Sequence, residues 1–484
     1  MMPPADEETS SPNPAAVLLP GFVGTSLPEW LAVWLRRGLA GVCVFGDNID
    51  SLPQLRGLTD QIRAANPSAL IAIDEEGGDV TRLYQKEGSP YPGNAILGRI
   101  DDEEYTESVA RTVGWELRRA GCNLDFAPDV DINSNPNNPV IGVRSFGSDP
   151  ALVARHSAAW VRGLESTATA SCSKHFPGHG DTAADSHLAL PVVDLPLERL
   201  RERELLPFEA AIAAGSRTIM TSHILLPQVD ATGPATFSSV ILQGLLRREL
   251  GFDGVIVSDA LDMKGASGEI GIAGAAVRAI AAGCDLLCIG TENTDEQLVE
   301  IEKEIQNALA DGRLDAIRLA DAARRNEALG HELAAQAAHT PIPDIVRDNG
   351  PRFDLERTIG VFDIRDGVTV YAGRTVFSIE TAMNIAVGAA PWGAVAAGAN
   401  TLVVREGEGI ELPAGRQPVV IGRDNHRHPW VRALVDGLRK SHPSTLVVDM
   451  GWPDDERRYA DVATYGASRH AGQALLTWLE RAQR

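Results

Sequence analysis

Residues 70–78 read Leu-Ile-Ala-Ile-Asp-Glu-Glu-Gly-Gly, a short apolar run followed at once by three acidic residues and two glycines. Four apolar residues in a row are typical of a strand that is buried on both faces, as in parallel sheets. The glycines favour a sharp turn of the backbone directly after the strand. A buried strand that ends in charged side chains predicts a parallel α/β fold with polar groups at one edge of the sheet.

Apolar runs of this kind occur eight times between residue 15 and about residue 290. The predicted strands are 16–19, 41–45, 70–74, 123–127, 170–174, 218–221, 255–259 and 285–289. Amphipathic helical patterns lie between most of them, as at 104–119, 152–166, 204–214 and 239–250. Eight such units favour a (β/α)8 barrel. The alternative is a doubly wound open sheet, but no glycine-rich dinucleotide motif follows the first strand.

The rest of the chain predicts a second, smaller unit. A long helical pattern at 294–338 is followed by two prolines, and further strand-like runs come at 358–364, 368–371, 400–404, 417–421 and 444–450. We therefore expect a disordered tail at 1–14, the barrel at 15–340, a linker at 341–349 and a small α/β domain of unknown role at 350–484. The polar cluster 424–428 is interpreted as a solvated loop.

Composition excludes several classes of protein. The 66 acidic and 44 basic residues give a formal charge of −22, and the basic residues are dispersed, so nucleic acid and anionic membranes are not expected partners. No apolar stretch approaches the roughly 18 residues of a membrane span. The first 14 residues lack the basic and apolar parts of a signal peptide. Together with five cysteines in mostly apolar surroundings, this predicts a cytoplasmic protein with reduced thiols.

The segment Lys174–His187 has the highest density of titratable groups. It carries three histidines, two aspartates and a lysine, and it is broken by a proline and two glycines, so it is predicted to be a loop. Asp185 and His187 would face the same side of an extended backbone. A carboxylate beside imidazole orients the ring and raises its basicity, which suits proton transfer near neutral pH. The alternative is an Asp-x-His that occurs by chance on the surface.

Polar residues also follow five of the predicted strands, where a (β/α)8 enzyme has its active site. The strand ends are Asp74, Asp125, Lys174-His175, Ser222-His223 and Ser258-Asp259. Asp259 follows an especially apolar run, so its carboxylate would lie at the mouth of the barrel. There it can act as a nucleophile or stabilise a cation. The alternative is that Ser258 or Asp259 only caps the next helix.

Three motifs make the chain resemble the bacterial β-N-acetylglucosaminidases of glycoside hydrolase family 3. They are Lys174–His187, Asn138–Gly147 and Ser258-Asp259. The resemblance implies a (β/α)8 barrel with Asp259 as nucleophile, His187 as acid/base and Asp185 as its dyad partner. It also implies sugar binding by Asp74, Arg82, Arg144, Lys174 and His175. Two positions depart from the family: Glu75 replaces a usual glutamine, and Ala260 replaces a frequent aspartate.

The expected function is that of a retaining exo-β-N-acetylglucosaminidase without cofactor or metal. Its substrate would be a small carbohydrate with a terminal β-linked N-acetylglucosamine, within cell-wall fragment recycling. A phosphorylase is the first alternative, because imidazole does not repel an anionic acceptor such as phosphate as a carboxylate does.

Two alternatives belong to other classes of protein. A metal-dependent barrel hydrolase would take its ligands from His175, His179, His187, His223 and Asp259, but the neighbouring Lys174 would repel the cation. A non-catalytic sugar-binding protein would have no need of Asp259 or of the pair Asp185 and His187.

Overall fold

The computed structural model describes residues 12–182, 190–268, 270–344, 351–381 and 386–483. Asp185 and His187 lie outside the described residues, and so do the first 11 residues of the predicted tail and residues 345–349 of the predicted linker.

Eight parallel strands form the first sheet. They are β1 (Leu18–Leu19), β2 (Gly41–Val44), β3 (Leu70–Ile73), β4 (Leu124–Asp125), β5 (Ala170–Phe176), β6 (Thr218–Thr221), β7 (Val255–Ser258) and β8 (Leu286–Cys288). Every residue of these strands is buried. From β2 to β8 each strand pairs with the next along the chain, and β8 pairs with β1. The Cys43 N–H donates to the Pro20 carbonyl at 2.9 Å, which links β2 to the end of β1. The predicted (β/α)8 barrel is confirmed.

The helix Glu103–Ala120 shows how local sequence sets the bounds of a barrel helix. The Asp102 side chain accepts a hydrogen bond from the Tyr105 N–H and so caps the first turn. At the other end, Gly121 has a φ of 86°, a left-handed conformation that ends helices and favours glycine. Acidic residues in the first turn and arginines in the last complement the helix dipole. The helix predicted at 104–119 is therefore confirmed to within one residue at each end.

The remaining helices of the barrel unit follow the same alternation. Their bounds are Glu29–Arg36, Leu52–Ala65, Asn94–Ile100, Pro150–Glu165, Leu197–Glu202, Leu206–Ala213, Val240–Glu249 (a π-helix), Lys264–Ser267, Gly271–Ala282, Asp295–Asp311 and Ala316–His339. The helical pattern predicted at 294–338 is two helices, because Gly312 turns the backbone with a φ of 80°. Within the described part of the chain, no helix combines the length and the apolar character that a bilayer crossing requires.

A second sheet of six strands forms the smaller α/β unit. Its strands are β9 (Asp363–Ile364), β10 (Arg374–Ile379), β11 (Leu402–Val404), β12 (Gln417–Gly422), β13 (Leu446–Asp449) and β14 (Val462–Ala463). The order is β11-β10-β12-β13-β14-β9, and only β9 is antiparallel to its neighbour. Helices Leu355–Ile359, Gly393–Ala396, Pro429–Ser441 and Arg469–Arg481 accompany it. The predicted barrel followed by a smaller α/β unit is confirmed.

Of the strands predicted in this unit, 368–371 is wrong, and 358–364 is right only at its end, where β9 (Asp363–Ile364) forms. The run 358–364 begins inside helix Leu355–Ile359, where the Thr358 hydroxyl lies 2.8 Å from a ring nitrogen of His470 and packs this turn on the last helix. The run 368–371 contributes only an isolated bridge at Val370, and the strand β10 follows it instead. In both places packing against distant residues, rather than local apolar content, decides the conformation.

The second unit packs on the loops that follow β3 and β4. The Ala467 N–H donates to the Asp79 carboxylate at 2.8 Å, after β3. Arg427 donates to the Asn138 carbonyl at 2.7 Å, after β4. Asn425 is fully buried beside Arg427. The interpretation of 424–428 as a solvated loop is therefore wrong, because this turn lies against the barrel.

Candidate active site

A cavity of about 470 Å³ opens at the carboxyl ends of the barrel strands. Its charged lining includes Asp74, Glu76, Arg82, Arg144, Lys174, His175 and Asp259. Six of the eight predicted site residues are thus brought to one cavity, namely Asp74, Arg82, Arg144, Lys174, His175 and Asp259. The other two, Asp185 and His187, fall outside the described residues.

Buried ion pairs organise one side of the cavity. The Lys174 ammonium lies 2.7 Å from Asp74 Oδ1 and 2.8 Å from Glu76 Oε1. Arg144 binds Glu76 with two parallel hydrogen bonds, from Nε at 2.9 Å and from Nη2 at 2.7 Å. The side chains of Arg144, Lys174 and Glu76 are only 3–4% exposed. Such paired, hydrogen-bonded charges are the form in which a protein interior tolerates ionised groups.

Glu76 joins the two cationic side chains, and the sequence interpretation gave it no role. Burial by itself would favour the neutral acid, but the Arg144 guanidinium and the Lys174 ammonium hold the pKa of Glu76 well below its usual range. Burial opposes the charge on Lys174 as well, yet the carboxylates of Asp74 and Glu76 raise its pKa. Glu76, Arg144 and Lys174 therefore stay charged at neutral pH. The only sequence signal for Glu76 is its position at the end of the acidic run after β3.

His175 is a neutral member of the site. Its Nδ1 lies 2.7 Å from Asp131 Oδ2, and its backbone N–H also faces that carboxylate. Burial, and then the nearby Arg144 charge, lower the pKa of His175 to about 4. With Asp131 as the acceptor, Nδ1 carries the proton and Nε2 is the acceptor atom of the ring. His175 can therefore orient a sugar hydroxyl but is poorly suited to act as an acid near pH 7.

Asp129, Asp131 and His175 form a group whose potential metal-ligand atoms lie within 4.8 Å of one another. Protein donors already face these carboxylates. Arg144 Nη2 lies 3.5 Å from Asp129 Oδ2, and Asp131 accepts a hydrogen bond from the His179 N–H at 2.6 Å. A divalent ion here would be repelled by the guanidinium.

His223, which the metal hypothesis included, is bonded on both ring nitrogens. Nδ1 lies 2.9 Å from Thr236 Oγ1, and Nε2 lies 3.0 Å from the Ala260 carbonyl. The described geometry therefore favours a hydrogen-bonding site for an organic substrate over a metal centre.

Arg82 connects the cavity to the second unit. Its guanidinium lies 3.8 Å from Asp74 and donates to the carbonyls of Ala386 and Val387 at 2.9 and 3.3 Å. Ala386 and Gly388 themselves line the cavity. The second unit thus supplies part of the wall beside Arg82. The sequence left the role of 350–484 open, because nothing local links Arg82 to a segment about 300 residues away.

Asp259 lies directly after β7 and is half-buried. Its backbone N–H donates to Thr221 Oγ1 at 3.3 Å, and its Oδ1 accepts from the Ala260 N–H at 2.8 Å. These bonds orient a carboxylate at the cavity. The apolar lining includes Phe22, Phe45, Val80, Met220 and Met263. Charged groups beside apolar side chains suit a sugar, which presents hydroxyls at its edge and C–H groups on its faces.

Glu75, at the position where glutamine is usual in the family that the sequence resembles, places a buried carboxyl group against the backbone of Arg82. Glu75 is fully buried, and its Oε2 accepts hydrogen bonds from Thr81 Oγ1 and from the N–H groups of Arg82 and Leu83, at 2.9–3.0 Å. Burial raises the pKa of Glu75 to about 7. Glu75 therefore anchors the backbone of Arg82, and it is ionised only above about neutral pH.

Comparison with known proteins agrees with this geometry. Residues 27–328 match the N-terminal domain of glycosyl hydrolase family 3. The chain belongs to this family. The predicted family is thereby confirmed, and with it the prediction of a glycoside hydrolase at the level of family membership.

Three relatives extend the comparison. A β-hexosaminidase A of Pseudoalteromonas piscicida is 33% identical over 72% of this chain, which spans 64% of that relative's length. A glycoside hydrolase family 3 β-N-acetylglucosaminidase structure from Paenibacillus sp. str. FPU-7 is 29% identical with a TM-score of 0.83, covering 97% of this chain and 96% of that one. NagZ from Neisseria gonorrhoeae, solved with N-trifluoroacetyl-D-glucosamine, is 32% identical with a TM-score of 0.55, covering 69% of this chain and 99% of that one. The structural similarity to the Paenibacillus protein includes the second unit.

The raised pKa of Glu75 predicts a pH-dependent stability. The folded chain holds this proton up to about pH 7, whereas the unfolded chain releases it near pH 4.5, so the wild type loses stability as pH rises through this window. Glu75→Gln removes the titration. Its free energy of unfolding, measured by urea at a series of pH values, should rise relative to wild type by about 3 kcal/mol across the window.

The matched control is Glu296→Gln, which removes a carboxyl from an exposed helix surface. A difference between Glu75→Gln and wild type that stays constant with pH would contradict the burial of an ionisable Glu75.

Proposed function

We propose that this protein is a retaining exo-β-N-acetylglucosaminidase that releases a terminal β-linked N-acetylglucosamine through a glycosyl-enzyme on Asp259. The observation that carries the proposal is the placement of the Asp259 carboxylate on the same cavity as the buried network of Asp74, Glu76, Arg144 and Lys174. A nucleophile beside a set of fixed donors and acceptors is the arrangement that a sugar-cleaving site requires.

The network supplies the sugar contacts in this proposal. Asp74 accepts from hydroxyls, while Lys174 and Arg144 donate to them. Lys174 is held by Asp74 and Glu76, and Arg144 is held by Glu76. Arg82 offers a rigid fork of donors at the opposite end of Asp74. The N-acetylglucosamine analogue bound by the NagZ relative supports the choice of sugar.

The reaction proceeds in two steps. Asp259 attacks the anomeric carbon through an oxocarbenium-like transition state as His187 protonates the leaving oxygen. His187 then takes a proton from water, which attacks the glycosyl-enzyme, so that the β configuration is retained. Asp185 orients the His187 ring. The assignment of His187 and Asp185 rests on the motif Lys174–His187, of which Lys174, His175 and His179 line the cavity.

A small oligosaccharide is the proposed substrate, and cytoplasmic recycling of cell-wall fragments is the proposed context, on the strength of the family resemblance. A phosphorylase is the second candidate. It is favoured by one feature, the imidazole in place of a carboxylate as acid/base, which leaves an anionic acceptor unrepelled.

Asp259→Ala tests the nucleophile. We expect release of nitrophenol from para-nitrophenyl β-N-acetylglucosaminide to fall roughly 10⁴-fold or more, because the glycosyl-enzyme cannot form. Azide added to this variant should restore part of the turnover and give the α-glycosyl azide, since it attacks from the side that the carboxylate has vacated. Turnover like that of wild type would refute the assignment.

His187→Ala tests the acid/base. The loss in kcat/KM should be small for aryl glycosides with acidic phenols and about 10²- to 10⁴-fold for alkyl glycosides, whose leaving oxygen needs a proton. Azide should here yield the β-glycosyl azide. Equal losses on both kinds of leaving group would contradict the acid role.

Product analysis distinguishes hydrolase from phosphorylase. With chitobiose as substrate, we expect free N-acetylglucosamine both with and without inorganic phosphate, as judged by anion-exchange chromatography. Appearance of N-acetylglucosamine 1-phosphate as the main product in phosphate would establish the second candidate instead.

A further inference from the structure

A side chain of the second unit reaches the barrel at Asn138, which contacts residues 179–182. Arg427 lies in the short turn Asn425–Arg427 after β12, and its Nη1 donates to the Asn138 carbonyl at 2.7 Å. The turn is held from below, because the buried Asn425 amide donates to the carbonyls of Val448 and Tyr459, both at 3.1 Å. Arg427 therefore extends from a well-anchored turn.

Asn138 in turn holds the first part of the segment that begins at Lys174. It is buried, and its Nδ2 donates to the His179 carbonyl at 2.8 Å and to the Gly180 carbonyl at 3.1 Å. The same amide lies 3.2 Å from Thr182 Oγ1. A single side chain thus contacts three of the four residues 179–182, which restricts the path of the backbone through them.

Close packing restricts the same residues from the other side. A β-carbon on Gly180 would lie 1.6 Å from the Ile132 carbonyl oxygen, so the backbone there rests directly on the loop after β4. The Thr182 hydroxyl also lies 2.8 Å from Nδ1 of His179. Asn135 holds the same stretch as well, because its side-chain amide donates to the Thr182 carbonyl at 3.3 Å. The position of Thr182, three residues before Asp185, therefore rests on Asn135 and on Asn138, whose carbonyl accepts from Arg427.

We propose that Arg427 and Asn138 are positioning residues for the acid/base step, because the second unit helps to hold residues 179–182 of the motif that also contains Asp185 and His187. Arg427 is not among the described residues that line the catalytic cavity, so it acts through Asn138 rather than on the substrate. A general acid works only from a narrow range of positions relative to the leaving oxygen. The proposal rests on the proposed function, in which His187 protonates that oxygen.

The hydrogen bond from Arg427 to Asn138 has a specific kinetic consequence. Displacing Thr182 displaces the origin of the acid/base segment but leaves Asp259 and the ion pairs of Lys174 and Arg144 in place. Leaving groups that need a proton should therefore suffer, while those that depart without one should not. Loss of domain packing alone would instead disturb the wall at Ala386 and weaken sugar binding for every substrate.

The test is Arg427→Ala in the full-length protein, with kcat/KM measured for N-acetylglucosaminides of dinitrophenol and of methanol. We expect a loss of roughly 10-fold to 100-fold on the methyl glycoside and less than about 3-fold on the dinitrophenyl glycoside. Arg427→Lys keeps a donor on a flexible side chain and should recover part of the loss. Rescue of this kind separates the hydrogen bond to Asn138 from a general effect on packing.

Arg439→Ala is the matched control, because this guanidinium makes a comparable bond, at 2.6 Å, to the Arg458 carbonyl inside the second unit and away from the turn that carries Arg427. It should leave both substrates unaffected. Equal losses on the two substrates, or the same pattern in Arg439→Ala, would overturn the proposal. If Arg427→Ala does not fold, Asn138→Asp replaces it, since it retains the acceptor oxygen and removes the donors to His179 and Gly180. A wild type without activity on either substrate would refute the proposed function instead.

Discussion

The pairing of buried charges around Glu76 is the interaction on which the site depends. Lys174 and Arg144 would each be costly to bury alone, and so would Glu76, but together they satisfy one another with short hydrogen bonds. Removing one partner of such a set typically costs about 3–5 kcal/mol. Because these charged groups are bonded to one another, their side chains are held in fixed positions in the lining of the cavity. A substrate therefore meets a preorganised surface rather than flexible ions.

The barrel alone does not complete this surface. Carbonyls of Ala386 and Val387 accept hydrogen bonds from Arg82, and Arg427 donates to the Asn138 carbonyl, so the second unit contacts the loops after both β3 and β4. Both contacts join an arginine to backbone carbonyls. Such bonds fix the position of each guanidinium through neutral acceptors, which bring no further charge to the site. The α/β unit thus works as a support for loops at the carboxyl ends of the strands.

Much of this was predictable from local patterns. Buried strands such as 70–73 are continuous apolar runs, and the polar residues that follow them lie at one end of the barrel for purely topological reasons. The residues whose roles were not predicted are those whose role depends on which distant side chains they contact. Glu76 stands out only once Arg144 and Lys174 are seen on either side of it, and the cluster 424–428 differs from a solvated loop only through its contact with Asn138.

The sequence by itself determined the family and the (β/α)8 barrel, because these follow from motifs of adjacent residues and from periodicity, and it predicted which side chains would bind and cleave a glycoside. Only the tertiary structure decided which charges neutralise one another, that His175 is a neutral ligand with its pKa lowered to about 4, and that a distant unit braces the cavity. The physical reason is that burial and electrostatic pairing depend on distances in space. Residues 82 and 386, or 138 and 427, become neighbours only when the chain is folded.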